Sequence, residues 1–354
     1  MSQDVKSKNL AELRGVFAEL GEPGFRAGQV FSWLHGGKTD FEEMTNLSKR
    51  LRGKLAERFY ISAPALLQKQ TSQRDGTVKY LWGLRDGNSV ESVVMEYAHG
   101  NTVCISTQVG CRQGCAFCAS TLGGLVRNLT PGEMLDQVLF SQMDSGRGIS
   151  NVVLMGIGEP LDNFDAVLRF LELVSAPEGM NLGMRHISLS TCGITEKVDK
   201  LGDYRLQLTL SVSLHAPDDE TRSRLMPING TNGVEKLFAS CRAYFEKTGR
   251  RVSYEYALID GVNDTPFHAR LLAKRLRGSG SHVNLILLNH VAERDLRPSR
   301  PESVRAFMEI LKENGVNHTV RRRLGLDIDA ACGQLRRNAR AAAGEIYGDM
   351  GKNG

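Results

Sequence analysis

From about residue 130 to residue 321 the chain alternates short β-branched runs with longer amphipathic ones, and no other feature restricts its fold so strongly. Runs at 151–155, 185–190, 207–213, 251–258, 282–288 and 316–321 predict strands. Between them, segments such as 164–174, 234–246, 267–276 and 301–313 repeat apolar residues at helical spacing. Thr130-Pro131-Gly132-Glu133 is a capping box with proline at the first helical position, which predicts a helix to about Gln142. Strand–helix–strand repetition implies a parallel sheet, because parallel neighbours need a crossover long enough to hold a helix. Six or more such units, with no dinucleotide-type glycine fingerprint after the first strand, predict an α/β fold built on a full or partial (β/α) barrel. Such barrels carry their chemistry at the C-terminal ends of the strands.

The preceding residues follow other rhythms. Residues 1–60 predict an N-terminal helical domain. Leu10, Leu13, Phe17 and Leu20 form one apolar stripe, and Val30, Phe31 and Leu34 form a second. A third helix is predicted over 47–59, with Lys49, Arg50, Arg52 and Lys54 on its polar side. That basic side fits a solvated face or a phosphate-contacting surface. Residues 61–100 predict a β-rich extension: runs at 77–83, 90–95 and 102–106 read as a small antiparallel meander, with turn signals at Asp75-Gly76, Asp86-Gly87 and His99-Gly100. The main core would then span 101–345, followed by a flexible tail over 346–354.

Lys+Arg is 45 against Asp+Glu at 40, a net charge of +5, which permits a nucleic-acid partner without requiring one. No run approaches the roughly 18–20 apolar residues of a membrane span, and the polar N-terminus lacks a signal-peptide pattern. The expected location is the cytoplasm, where thiols stay reduced. The seven cysteines, at 104, 111, 115, 118, 192, 241 and 332, cannot all pair. Four of them fall within fifteen residues.

Three of those four form Cys111-Arg-Gln-Gly-Cys115-Ala-Phe-Cys118, close-set thiolates on a glycine-containing loop suited to a soft metal centre. Zinc would call for a fourth Cys or His. Three thiolates suit a 4Fe–4S cluster with one iron left open to a small molecule. Met155-Gly156-Ile157-Gly158-Glu159-Pro160 ends what reads as the first barrel strand. It fits a plain turn, or a close backbone approach to a ligand with Glu159 accepting from an ammonium group. Ser188-Leu-Ser190, Ser213-Leu214-His215 and Asn289 fall at later strand ends. Cys332, in Asp327-Ile-Asp329-Ala-Ala-Cys332-Gly, is either a buried turn residue or a nucleophile. Cys192 and Cys241 read as packing residues.

The Cys-x3-Cys-x-aromatic-Cys loop resembles that of the radical S-adenosylmethionine (SAM) superfamily. Val90-Glu91-Ser92, Cys104-Ile-Ser-Thr-Gln-Val-Gly-Cys111, Arg127-Asn-Leu-Thr130, Met155–Pro160, Ser213-Leu-His-Ala-Pro217, Met226-Pro-Ile-Asn229, Asp260-Gly-Val-Asn-Asp264 and Asp327–Leu335 narrow the resemblance to the RlmN/Cfr family of RNA methyltransferases, over nearly the whole chain. The resemblance implies one 4Fe–4S cluster on Cys111, Cys115 and Cys118, and two SAM molecules per turnover. Gly158, Glu159, Ser190, Ser213, Leu214, His215 and Asn289 match positions lining the SAM site. One SAM would methylate Cys332. The other would yield a radical that takes a hydrogen from that S-methyl group, so that its carbon adds to an adenine ring. Glu91 would accept the displaced proton, and Cys104 would release the product through a transient disulfide with Cys332.

The implied reaction is methylation of adenine carbon 2 in 23S rRNA and in tRNA beside the anticodon. The alternatives are carbon-8 methylation of the Cfr type, and a zinc-containing RNA-binding protein. A low-potential donor such as flavodoxin would supply electrons, and the chain is expected to act as a monomer, away from membranes. Arg321-Arg322-Arg323 adjoin the Cys332 segment and suit phosphate contacts. The stretch 289–298 departs from some family members while keeping Asn289, which leaves the shape of the substrate rim open.

Overall fold

A computed structural model describes residues 3–289 and 294–328 of the chain. It begins with a two-residue strand β1 (Gln3–Asp4) and three helices, α1 (Leu10–Glu19), α2 (Phe25–His35) and α3 (Lys49–Arg58), before β2 (Phe59–Tyr60) returns to pair with β1. Of the first predicted stripe Leu13 and Phe17 are buried, with Val16 beside them; the second, Val30, Phe31 and Leu34, is buried throughout; and the third helix buries Leu51 and Leu55. Asn9 and Ser48 cap α1 and α3 through their side-chain oxygens.

Next come β3 (Ala65–Thr71), β4 (Val78–Gly83), β5 (Ser89–Tyr97) and β6 (Gly100–Cys104), joined antiparallel. A short hairpin, β7 (Gln108–Gly110) with β8 (Leu125–Asn128), brackets the cysteine loop. Helix α4 (Pro131–Ser145) starts on the Thr130–Glu133 capping box and leads to β9 (Ile149–Leu154). The alternation then continues through α5 (Phe164–Ser175), β10 (Ile187–Thr191), α6 (Thr195–Asp203), β11 (Thr209–Ser213), α7 (Asp219–Leu225), α8 (Val234–Thr248), β12 (Ser253–Leu258), α9 (Pro266–Leu276), β13 (His282–Leu287), α10 (Pro301–Glu313) and β14 (Asn317–Val320).

One ten-stranded sheet runs β14-β13-β12-β11-β10-β9-β6-β5-β4-β3. Every pairing from β6 to β14 is parallel, so the arrangement is an open, partial barrel. A single apolar cluster extends from Val5 in the N-terminal segment to Val316 before the last strand. The N-terminal helices are tied to α4 by a buried ion pair between Lys6 and Asp136. Lys6 Nζ also donates to the Ser62 carbonyl at 2.7 Å. Removing one partner of such a pair would strand the other charge away from water.

Three features differ from the sequence reading. Strand β3 was not foreseen, because it is the sheet's edge and is mostly exposed on both faces, so no apolar alternation marks it. The first parallel strand is β6 rather than the strand before Met155, since β6 pairs antiparallel with β5 on one side and parallel with β9 on the other. Residue 100 therefore lies inside one continuous sheet, at a hairpin, and the meander is an extension of the barrel wall.

Candidate active site

The C-terminal ends of the parallel strands open into a cavity of about 560 Å³. Cys111, Cys115 and Cys118 line it together with Gly158, Glu159 and Ser190. Ser213, His215, Asn289 and Cys104 complete the set of predicted residues on its wall. Two predicted residues are not on that wall. Leu214 is fully buried, and its backbone N–H donates to the Glu255 carbonyl (3.0 Å). Glu91 is buried on β5, where a carboxylate oxygen lies 2.9 Å from Lys79 Nζ. Cys332 and Asp329 lie outside the described residues. Leu324, which precedes them, packs in the cluster of Val93, Met95 and Cys104.

The cysteine loop is held from several sides. The Cys111 N–H donates to the Gly124 carbonyl at 3.0 Å, closing the loop above the β7–β8 hairpin. Gly110 has a φ of 81°, and a Cβ there would lie 2.0 Å from that same carbonyl oxygen, so only glycine fits. The Thr121 hydroxyl donates to the Cys118 carbonyl at 2.9 Å, and Ala116 N–H donates to the Leu225 carbonyl at the end of α7 (2.9 Å). Burial pushes the Cys111 thiol up to about 12, and the neighbouring carboxylates of Glu159 and Asp162 add to the effect. Cys115 is raised further by burial and by its two fellow thiols. Thiols so disfavoured as anions become thiolates when a metal replaces the proton. Among the described residues no three His, Cys, Asp or Glu side chains converge on a single ion. The three cysteines line one cavity, and three thiolates on one loop suit a multi-iron cluster with one corner left open, whereas zinc would call for a fourth Cys or His.

Next to this loop, the Gly-Ile-Gly-Glu turn is locked against Gln108. The Gln108 side-chain oxygen accepts from Glu159 N–H at 2.8 Å, while its amide donates to Asn128 and Asp162. Gly158 has a φ of 110°, and a Cβ there would lie 2.8 Å from the Gln108 backbone nitrogen. Glu159 accepts from Cys192 N–H (2.7 Å) and Leu161 N–H (3.0 Å). Burial raises its pKa and these N–H donors oppose the rise. Remaining lone pairs can accept from an ammonium group in the cavity.

His215 also has a left-handed backbone, with φ 55°. Ala257 N–H donates to its Nδ1 (2.9 Å) and the Asn263 amide donates to its carbonyl (2.6 Å), so the ring is neutral with its proton on Nε2. Its ring meets Phe117, the aromatic residue of the cysteine loop, edge to face at 4.6 Å. Residues not singled out from sequence also shape the site. Arg222 is buried behind the strand ends, and Glu255 lines the cavity with its carboxylate accepting from Asn284 (2.8 Å). A glutamate inside the apolar run of β12 was the readable signal for the second; nothing distinguished Arg222 from a solvated helix residue. Cys192 is on the cavity wall, and Cys241 belongs to the main core. Arg321, Arg322 and Arg323 form part of the cavity wall on the side where the C-terminal segment enters.

Among the described residues no helix is long and apolar enough to cross a membrane. Residues 105–273 match the radical SAM superfamily, and residues 4–61 match the ribosomal RNA large subunit methyltransferase N-terminal domain. The chain is 50% identical over 336 residues to the "Probable dual-specificity RNA methyltransferase RlmN" of Lachnoclostridium phytofermentans, covering 95% of this chain and 94% of that one. It is 51% identical over 330 residues to the protein of the same name from Clostridium perfringens, covering 93% and 95%. Among solved structures, a radical SAM methyltransferase from Sphaerobacter thermophilus superposes with a TM-score of 0.89 at 42% identity, over 94% of this chain and 98% of that one. Matched along nearly its full length by sequence and by fold, the chain belongs to the RlmN family of dual-specificity RNA methyltransferases, within the radical SAM superfamily.

Proposed function

We propose that this chain methylates carbon 2 of adenosine in 23S rRNA and in tRNA beside the anticodon, with the methyl carbon carried on Cys332. The observation that supports this reading best is the path of the C-terminal segment. Leu324 packs with Cys104, Leu326 and Ile328 line the cavity that also holds the three loop cysteines, and Cys332 follows Ile328 by four residues. Four residues span at most about 14 Å. Cys332 is therefore tethered within reach of the cavity.

Membership of the superfamily implies a 4Fe–4S cluster and SAM. Cys111, Cys115 and Cys118 would hold the cluster, which when bound supplies the electron that opens SAM to radical chemistry. Glu159 would accept from the SAM ammonium, with Gly158, Ser190, Ser213, His215 and Asn289 around the rest of the molecule. Leu214 contributes through its backbone, by holding the Ser213–His215 turn. Two SAM molecules serve each turnover, one as methyl donor to the Cys332 thiolate.

Adenine carbon 2 is electron-poor, so a carbon radical suits it better than an electrophilic sulfonium does. Bonding of the methylene on Cys332 to carbon 2 leaves an unpaired electron on the adduct, which would pass to a one-electron acceptor such as the oxidised cluster. A base must then take the proton from carbon 2. The resemblance gives this role to Glu91, which would have to leave its ion pair with Lys79. The Cys104 thiolate then attacks the Cys332 sulfur, forming the disulfide as the carbon–sulfur bond breaks. The electron pair of that bond leaves with the carbon, which takes up a proton and becomes the methyl group. External thiol reductant restores both cysteines. Arg321–Arg323 would contact phosphates, and an adenine held in folded RNA must be exposed to reach Cys332. A low-potential donor such as flavodoxin would reduce the cluster.

Turnover of the reconstituted enzyme on 23S rRNA fragments and on tRNA, followed by mass analysis of the nucleosides, tests this reading. It predicts 2-methyladenosine from both RNAs. Formation of 8-methyladenosine alone would assign the chain to the Cfr-type reaction instead.

A further inference from the structure

Arg222 carries a charge that its surroundings do not match. It stands on α7 with its side chain fully buried. Nε donates to the Leu214 carbonyl (3.1 Å). Nη1 donates to Asn229 Oδ1 (2.8 Å) and the Asn232 carbonyl (3.2 Å). Nη2 donates to the carbonyls of Cys192 (2.7 Å) and Ser213 (3.3 Å). All five acceptors are neutral, and among the described residues the guanidinium makes no ion pair with a carboxylate. Asp219 acts on it only at longer range, because its own carboxylate is taken by Val234 N–H and the Asn229 amide. A buried cation satisfied only by dipoles is costly, and retaining one calls for an anion nearby.

The cysteine loop is where that anion would be. Helix α7 ends at Leu225, whose carbonyl holds the loop at Ala116, beside Cys115. The Ser213 and Leu214 carbonyls that Arg222 grips precede His215, whose ring packs on Phe117 between Cys115 and Cys118. Arg222 holds the Cys192 carbonyl, and Cys192 packs with Cys115, Leu225 and Met226 in one buried cluster. As thiols these groups are neutral; as cluster ligands Cys111, Cys115 and Cys118 are thiolates.

We infer that Arg222 is the fixed counter-charge of the cluster site, a positioning residue that raises the reduction potential of a cluster held by Cys111, Cys115 and Cys118. The inference rests on the cluster reading above. Reduction adds one electron from the external donor, and no bond forms or breaks at Arg222. A nearby cation inside a low-dielectric wall favours the more negative reduced state.

The test is a redox titration, followed by electron paramagnetic resonance, of anaerobically reconstituted protein: wild type, Arg222→Gln and Arg222→Lys. At a fixed applied potential, Arg222→Gln should show at least a tenfold lower reduced-to-oxidised ratio, which is about 59 mV for a one-electron couple. Arg222→Lys, which keeps the charge and loses the fork, should stay within about threefold of wild type, or about half that shift. A loaded Arg222→Gln that titrates with wild type overturns the inference while leaving the cluster reading intact. If Arg222→Gln does not accumulate as folded protein, Arg222→Lys decides: a wild-type potential supports the counter-charge, and a tenfold loss overturns it. Wild type that takes up no four-iron cluster would end both readings, an outcome visible in its iron content.

Discussion

His215 gathers several constraints into one residue. Its backbone lies in a region that non-glycine residues seldom adopt, and such conformations persist where surrounding contacts hold them. Here Asn263 clamps the carbonyl and Ala257 N–H fixes the ring. Burial and then the Arg222 charge lower its pKa to about 3, from an ordinary value of 6.5. A histidine held neutral in the fold takes up its proton on unfolding. Its contribution is therefore neutral above about pH 6.5 and becomes destabilising as pH falls below that value toward the folded pKa. Between pH 7 and pH 5 the fold should lose about 2 kcal/mol through this residue. Denaturant unfolding of wild type and His215→Gln across that range checks it. The variant should lack this component of the pH slope, and identical slopes would contradict the assignment.

At the scale of elements, the turn between β3 and β4 does more than join two strands. Asp75 accepts from Gly325 N–H at 2.8 Å. Asp327 accepts from the Ser72 hydroxyl (2.6 Å) and Gln73 N–H (2.8 Å). These bonds, spanning some 250 residues of chain, pin the segment leading to Cys332 onto the sheet edge. Misplacing a reacting group by an ångström costs up to about a hundredfold, so Asp327→Ala should slow methylation by at least about tenfold. SAM cleavage should continue, so the yield of 5′-deoxyadenosine per methylated adenosine should rise; an unchanged ratio would show that the clasp does not position Cys332.

The same clasp illustrates what could and could not be read from the sequence. Strands β9 to β14 were legible as short β-branched and apolar runs set between helical segments, although β10 is fully buried only at alternate residues and β14 is mostly exposed. Helix α4 was legible from its capping box, and α5, α8, α9 and α10 from their apolar stripes. Edge strand β3, polar and exposed, was not, and with it the partner of Asp327 was hidden. Gly158 and Glu159 could be picked out because glycines beside a carboxylate are a local pattern. Arg222 could not, since its significance comes from five acceptors supplied by separate segments.

On the scale of the whole molecule, one sheet unites what the sequence divided. Cys104 ends β6, the strand shared by the antiparallel meander and the parallel barrel. It thereby faces the cysteine loop that follows it and the C-terminal segment that returns to it. The net charge of +5 says little about RNA; the arginines 321–323 on the cavity wall say more. The N-terminal segment joins the same core, tied to α4 through the buried Lys6–Asp136 pair.

The central claim is that Cys332 carries the methyl carbon to adenine and Cys104 releases the product. The most direct measurement uses the Cys104→Ala variant, reconstituted with cluster and incubated with SAM, reductant and RNA. After nuclease and protease digestion, mass spectrometry should find the peptide containing Cys332 joined through one methylene to an adenosine, accumulating in place of free 2-methyladenosine. Normal release of 2-methyladenosine by this variant, with no adduct on Cys332, would contradict the account.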